Sequence, residues 1–124
     1  MKISIAMCTY NGSAYLPGQL SSFISQRRPP DELVVCDDAS CDDTVEILER
    51  FQRQAPFAVR LCRNRRNLGV VKNFEQAILA CAGDVIVLAD QDDVWSASKL
   101  SRVEDTFRQS RQTGYLFSNA AVVD

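Results

Sequence analysis

Histidine is absent from all 124 residues. That removes Ser-His-Asp nucleophilic chemistry, imidazole acid–base catalysis and His-ligated metal centres. Any chemistry falls to carboxylates, hydroxyls, amides and basic side chains. No Cys-x-x-Cys pair occurs among the five cysteines, which argues against a zinc ribbon or a dithiol redox site. Most of these cysteines lie in or beside apolar runs, where thiols behave as small core hydrophobes, so reduced structural thiols in a cytosolic protein are expected. Excess positive charge is also missing. The formal net charge is -2, which leaves nucleic-acid binding without its basic footprint. No apolar run reaches the roughly 18 residues that a membrane span needs. Residues 1–5 lead straight into a strand pattern, without the apolar stretch of a signal peptide.

What the chain does have is two apolar runs that each end in carboxylates. Leu33-Val34-Val35-Cys36 runs into Asp37-Asp38, and Val85-Ile86-Val87-Leu88-Ala89 runs into Asp90-Gln91-Asp92-Asp93. Unalternating β-branched runs read as strands buried on both faces, as in a parallel sheet. Ligands of such sheets sit off the carboxyl ends of the strands. Two carboxylates about 4 Å apart repel by roughly 4 kcal/mol at an effective dielectric of 20, so a cationic occupant best explains the cluster.

Strand and helix patterns alternate along the whole chain. Strands are predicted at 2–7, 32–36, 57–63, 84–89 and 115–118. Helices are predicted at about 13–26, after the capping box Ser40/Asp43, after the loop 64–69, and around Leu100, Val103 and Phe107. The second helix carries Val45, Leu48 and Phe51 at core spacing; the third carries Val71, Phe74, Ile78 and Cys81 on one face. This order predicts an α/β fold, a mostly parallel sheet with helices on both faces and right-handed crossovers. Residues 1–124 read as a single domain, and the strand-like run at their end leads us to expect the N-terminal part of something longer.

Asp90 and Asp92 alternate along an extended segment and can address one ligand. Hard oxygen donors suit Mg²⁺ or Mn²⁺ together with substrate phosphates; an acidic turn capping the next helix is the plainer alternative. Asp38 can accept the ring imide N–H of uracil or thymine. After the first strand, Thr9 can bond a base edge and Tyr10 can pack on a base face. Arg60, Arg63, Arg65, Arg66 and Lys72 surround Asn67-Leu68-Gly69 and can neutralise a diphosphate, or form a solvated face.

Four segments in this order and spacing resemble the family 2 inverting glycosyltransferases of the GT-A fold: residues 3–12, then 34–40, then Asn67-Leu68-Gly69, then Asp90-Gln91-Asp92-Asp93. The Val94-Trp95 and Lys99-Leu100 that follow are similar to bacterial enzymes of cell-surface polysaccharide synthesis, often rhamnosyltransferases. The resemblance implies a Rossmann-like GT-A sandwich, truncated to its donor-binding half. It implies that Thr9 and Tyr10 border the base and ribose pocket with Asn11 beside them. It further implies that Asp38 contacts the pyrimidine, that Lys72 lies near the base, that Asp90 and Gln91 lie near the ribose, and that Asp92 ligates the metal. The partners implied are a UDP- or dTDP-sugar donor and a saccharide or lipid-linked acceptor. The location implied is cytoplasmic, with the inner membrane face as one site there. The family's general base and most of its acceptor site belong to a later half, so no catalytic residue is assigned here. Cys41 after Ser40 departs from the usual small or turn-forming residues.

A phosphoryl-accepting receiver domain shares the length and the acidic pocket. It wants its acidic pair after the first strand and a lysine after the last, and neither is here. A nucleotidyltransferase wants a glycine-rich loop after the first strand, where only Gly12 precedes Gly18. A non-catalytic nucleotide-sugar-binding module remains the alternative for these residues taken alone.

Overall fold

The computed structural model describes residues 1–109. Four strands, β1 (Ile3–Thr9), β2 (Glu32–Asp37), β3 (Ala58–Arg63) and β4 (Val85–Asp90), alternate with α1 (Leu16–Ile24), α2 (Thr44–Gln54), α3 (Val70–Ala80) and α4 (Lys99–Gln109). The strands form one sheet in the order β3-β2-β1-β4, and every pairing is parallel. The predicted strand at 115–118 lies outside the described residues.

Side-chain size along β1 sets the two layers. Ile3, Ile5 and Met7 point to one face, where Leu20 and Phe23 of α1, Leu48 of α2 and Leu100 of α4 complete the main core. Ala6 and Cys8 point to the other, where Ala77 of α3 closes down. Three helices therefore cover one face and α3 covers the other, as a two-faced parallel sheet requires.

Two local expectations are corrected. At α3, Ile78 and Cys81 pack on the second core as predicted, but Val71 is 81% exposed, and the fully buried residues are Asn73 and Ala77. Asn73 turns inward because its side-chain amide donates to the Cys36 carbonyl at 2.8 Å, which a valine cannot do. The capping box does not form either. Asp43 occupies the N-cap of α2 with no side-chain cap bond. Asp42 instead accepts the Thr44 N–H at 3.0 Å and the Ser13 N–H at 3.1 Å, and Ser40 is drawn to Asp37.

All five cysteines are free. Burial, then the neighbouring Cys62, pushes the Cys36 thiol up to about 12. Burial likewise, followed by Cys36, Asp38 and Asp90, pushes Cys8 up to about 12. Both stay protonated at neutral pH, which suits core packing and not nucleophilic chemistry.

Candidate nucleotide and metal site

Strand order reverses between β1 and β4. The chain winds outward from β1 to β3, and α3 then carries it back across the sheet to β4. Such a switch point opens a crevice at the carboxyl ends of the strands. A cleft of about 300 Å³ lies there, walled by Thr9 and Tyr10 after β1, Asp38 after β2, and Asp90, Gln91 and Asp92 after β4.

The adjacent carboxylates Asp37 and Asp38 divide their work. Asp37 is sealed, accepting the Thr9 hydroxyl at 2.7 Å and the Ser40 hydroxyl at 2.6 Å, with the Ser40 N–H at 3.0 Å. Thr9 therefore lines the cleft with its hydroxyl already committed. The next turn puts Ala39 in the left-handed region at φ 61, a sparsely populated state for a residue with a Cβ, and that turn leaves Asp38 on the cleft wall. Asp38 is 7% exposed. Its Oδ1 accepts the Leu68 N–H at 2.7 Å and the Asn64 side-chain amide at 3.0 Å, and its Oδ2 accepts the Gly69 N–H at 3.1 Å. Burial acts to raise the Asp38 pKa but is outweighed by the donors Leu68, Asn64 and Gly69, and the carboxyl is held below its usual range. Among the described residues Oδ2 accepts the Gly69 N–H, which leaves acceptor capacity on a carboxylate that lines the cleft. Asn64 passes the network on to buried Asn73 at 2.8 Å.

The acidic turn after β4 is held from two sides. Buried Gln19 of α1 donates to the Asp90 carbonyl at 2.7 Å. Gln26, just past the Ser25 C-cap of α1, donates to the Ser96 carbonyl at 2.7 Å and accepts the Leu100 N–H at 3.0 Å. Trp95 closes the turn against Phe23 with ring centroids 4.8 Å apart, and Lys99 sits over the same indole at 4.7 Å. On the cleft side, the Gln91 amide accepts the Tyr10 N–H at 2.8 Å and donates to the Tyr10 carbonyl at 3.0 Å. This two-bond clamp ties the β1 turn to the acidic turn. It also needs Gly12, because a Cβ there would lie 2.2 Å from Gln91 Oε1.

The clamp is testable. Gly12→Ala is expected to expel the Gln91 amide and to cost about 1–2 kcal/mol, two hydrogen bonds at about 1 kcal/mol each at most. Gln91→Ala should cost a similar amount, and the double variant little more than either single one. Additive losses in urea denaturation would mean that Gly12 and Gln91 act independently.

Held this way, Asp90, Asp92 and Asp93 each offer a carboxylate oxygen, all within 4.8 Å of one another. Partial burial, then the charges of Asp93 and Asp92, raises the Asp90 pKa. Three hard, mutually repelling oxygen donors, of which Asp90 and Asp92 line the cleft, fit Mg²⁺ or Mn²⁺. Of the predicted ligand residues, Tyr10, Asp38, Asp90, Gln91 and Asp92 share the cleft with Thr9. Asn11 and Lys72 stand outside its lining. The Asn11 side chain accepts the Cys41 N–H at 2.8 Å, and Lys72 is exposed on the first turn of α3. Sequence reasoning missed Gln19, Gln26, Asn64 and Asn73. For the glutamines the one available signal is their spacing, which puts both amides on the same face of the helix predicted at 13–26 as Leu16, Leu20 and Phe23.

The glycosyl transferase family 2 profile matches residues 4–122. The dTDP-rhamnosyl transferase RfbG of Shigella flexneri is 33% identical over 103 residues, which cover 80% of this chain and 36% of that protein. The UDP-Glc:alpha-D-GlcNAc-diphosphoundecaprenol beta-1,3-glucosyltransferase WfgD of Escherichia coli is 27% identical over 123 residues, covering 98% of this chain and 47% of that protein. Among solved structures, S. aureus TarS in complex with UDP-GlcNAc superposes with a TM-score of 0.80 at 26% identity, over 88% of this chain and 32% of that one. The mannosyltransferase PcManGT from Pyrobaculum calidifontis, in complex with GDP-Man and Mn²⁺, superposes at 0.79 and 24% identity, over 86% of this chain and 32% of that one, and shows the shared fold. The chain spans between about a third and a half of the length of the curated relatives it matches. The profile match over nearly the whole length and the GT-A architecture agree with the switch-point cleft: the chain belongs to glycosyl transferase family 2.

Proposed function

We propose that residues 1–124 form the donor-binding domain, the N-terminal part, of a metal-dependent inverting glycosyltransferase. It takes a UDP- or dTDP-sugar and passes the sugar to a saccharide or lipid-linked acceptor in cell-surface polysaccharide synthesis. The observation that carries this reading is the Asp90/Asp92/Asp93 cluster, whose Asp90 and Asp92 line the same cleft as Asp38 and Tyr10.

In this reading Tyr10, 48% exposed, stacks on the base, and Asp38 Oδ2 accepts its imide N–H. Asp92 ligates the cation, with Asp90 toward the ribose. Lys72 supplies positive charge from outside the cleft lining, and Asn11 keeps the β1 turn in shape. Gln91 holds the base-side and metal-side walls in register. A bound Mg²⁺ or Mn²⁺ acts as a Lewis acid on the departing diphosphate. The group that deprotonates the acceptor is assigned to none of these side chains, since each already serves the donor or the fold.

The base contact predicts ligand choice. UDP and dTDP are expected to bind more tightly than CDP, because cytosine has no ring N–H for Asp38. A hydrogen bond to a charged group is worth roughly 1.5–3 kcal/mol, or about 10- to 150-fold in Kd. Calorimetric titrations of the three diphosphates, with and without Mn²⁺, test both halves of the reading. Equal affinities would remove Asp38 from the base pocket, and binding indifferent to Mn²⁺ would remove the metal.

A further inference from the structure

Residues 50–72 hold seven cations and no carboxylate, while the other 101 residues carry seven cations against all sixteen carboxylates. Four of these seven cations lie at or after the carboxyl end of the edge strand β3. Arg63 ends β3, Arg65 and Arg66 occupy the loop leading to α3, and Lys72 lies in the first turn of α3; Arg53 stands apart, in the last turn of α2. Arg60 is taken by Glu32 at 2.9 Å, and Arg63 leans on exposed Glu49 at 3.8 Å. Arg53, Arg65 and Arg66 are exposed and have no carboxylate partner among the described residues. Cations on an edge strand also guard it against pairing with other chains, but Arg65 and Arg66 lie beyond the strand and guard nothing. Beside them, at the start of α3, Val70 is 73% and Val71 81% exposed.

We propose that the corner between the end of β3 and the start of α3, with Arg63, Arg65, Arg66 and Val71, is a docking surface for an anionic lipid bilayer. Unpaired arginines next to bare apolar side chains fit a bilayer surface better than a soluble polyanion. The lipid supplies both negative head groups and an apolar layer beneath them. Because loop 64–69 is fastened to Asp38, docking sets the donor cleft close to the membrane. The purpose of the surface rests on the lipid-linked acceptor proposed above; its chemistry does not.

The test is sedimentation of the protein with phosphatidylcholine vesicles and with vesicles that also contain phosphatidylglycerol. Binding is expected only to the anionic vesicles and should weaken as salt is added. Arg65→Gln/Arg66→Gln should lower the partition coefficient roughly thirtyfold, two cations at about 1 kcal/mol each. Val71→Asp should lower it as well. Val71 is too exposed for that change to disturb the core, and unchanged circular dichroism checks this for each variant. UDP titration of the same samples separates the two claims: vesicle binding without UDP binding defeats the proposed function and leaves the surface standing. Equal binding to both vesicle types, indifference to the arginine changes, or capture by soluble polyphosphate with none on vesicles overturns the surface.

Discussion

Asp92→Asn is expected to abolish the metal-dependent part of nucleoside diphosphate binding while the fold stays intact. Residues that merely orient metal ligands are worth about 10–100-fold in affinity. Loss of a ligating carboxylate should therefore weaken Mn²⁺-dependent UDP binding by roughly a hundredfold or more. Stability should move the other way. Asp92 is exposed and lies within 4.8 Å of the Asp90 and Asp93 oxygens, so removing its charge relieves repulsion and the metal-free Tm should hold or rise. Added Mn²⁺ should raise the Tm of the parent chain through linkage and leave that of the variant unmoved. If the variant keeps full metal-enhanced binding, Asp92 only shapes the turn before α4.

The strands were legible because β1, β2 and β4 are near-continuous apolar runs, the pattern a parallel sheet imposes when both faces are covered. Their ends were less so: β1 was predicted to stop at Met7 but runs on to Thr9, since pairing with β2 carries it two residues further. Placing carboxylates at a crevice followed from the same rule about strand ends. Buried amides were invisible to apolar periodicity. Asn73 faces the sheet and Val71 faces solvent, because a backbone carbonyl at Cys36 rewards an amide there. Likewise no local signal separates Asp37 from Asp38. Their split depends on Thr9 and on Leu68, partners about thirty residues away in either direction.

Asp38→Ala is expected to destabilise the fold by about 2–4 kcal/mol, and it separates the structural duty of this carboxylate from its proposed ligand duty. The substitution leaves the Leu68 and Gly69 N–H groups and the Asn64 amide without their acceptor. Each unmet buried donor costs about 1–3 kcal/mol, with the low end applying where water can enter the loop. Loop 64–69 should loosen, and with it Val70, Asn73 and Phe74, which line the cleft from α3. Ionisation carries part of this. The folded pKa of Asp38 is depressed, so its stabilisation is present above the unfolded value, about 3.9, and is lost as pH falls through the lower folded one. The gap in urea midpoint between parent and variant should therefore be level near neutrality and shrink below about pH 4. Asp38→Asn keeps one acceptor oxygen for the loop and loses less stability. It turns a donor toward the cleft in place of Oδ2, which suits the unprotonated ring nitrogen of cytosine. The preference for UDP over CDP should vanish or reverse in that variant. A stability loss with the preference intact would make Asp38 a loop anchor and nothing more; a lost preference with unchanged stability would mean that loop 64–69 is held by other contacts.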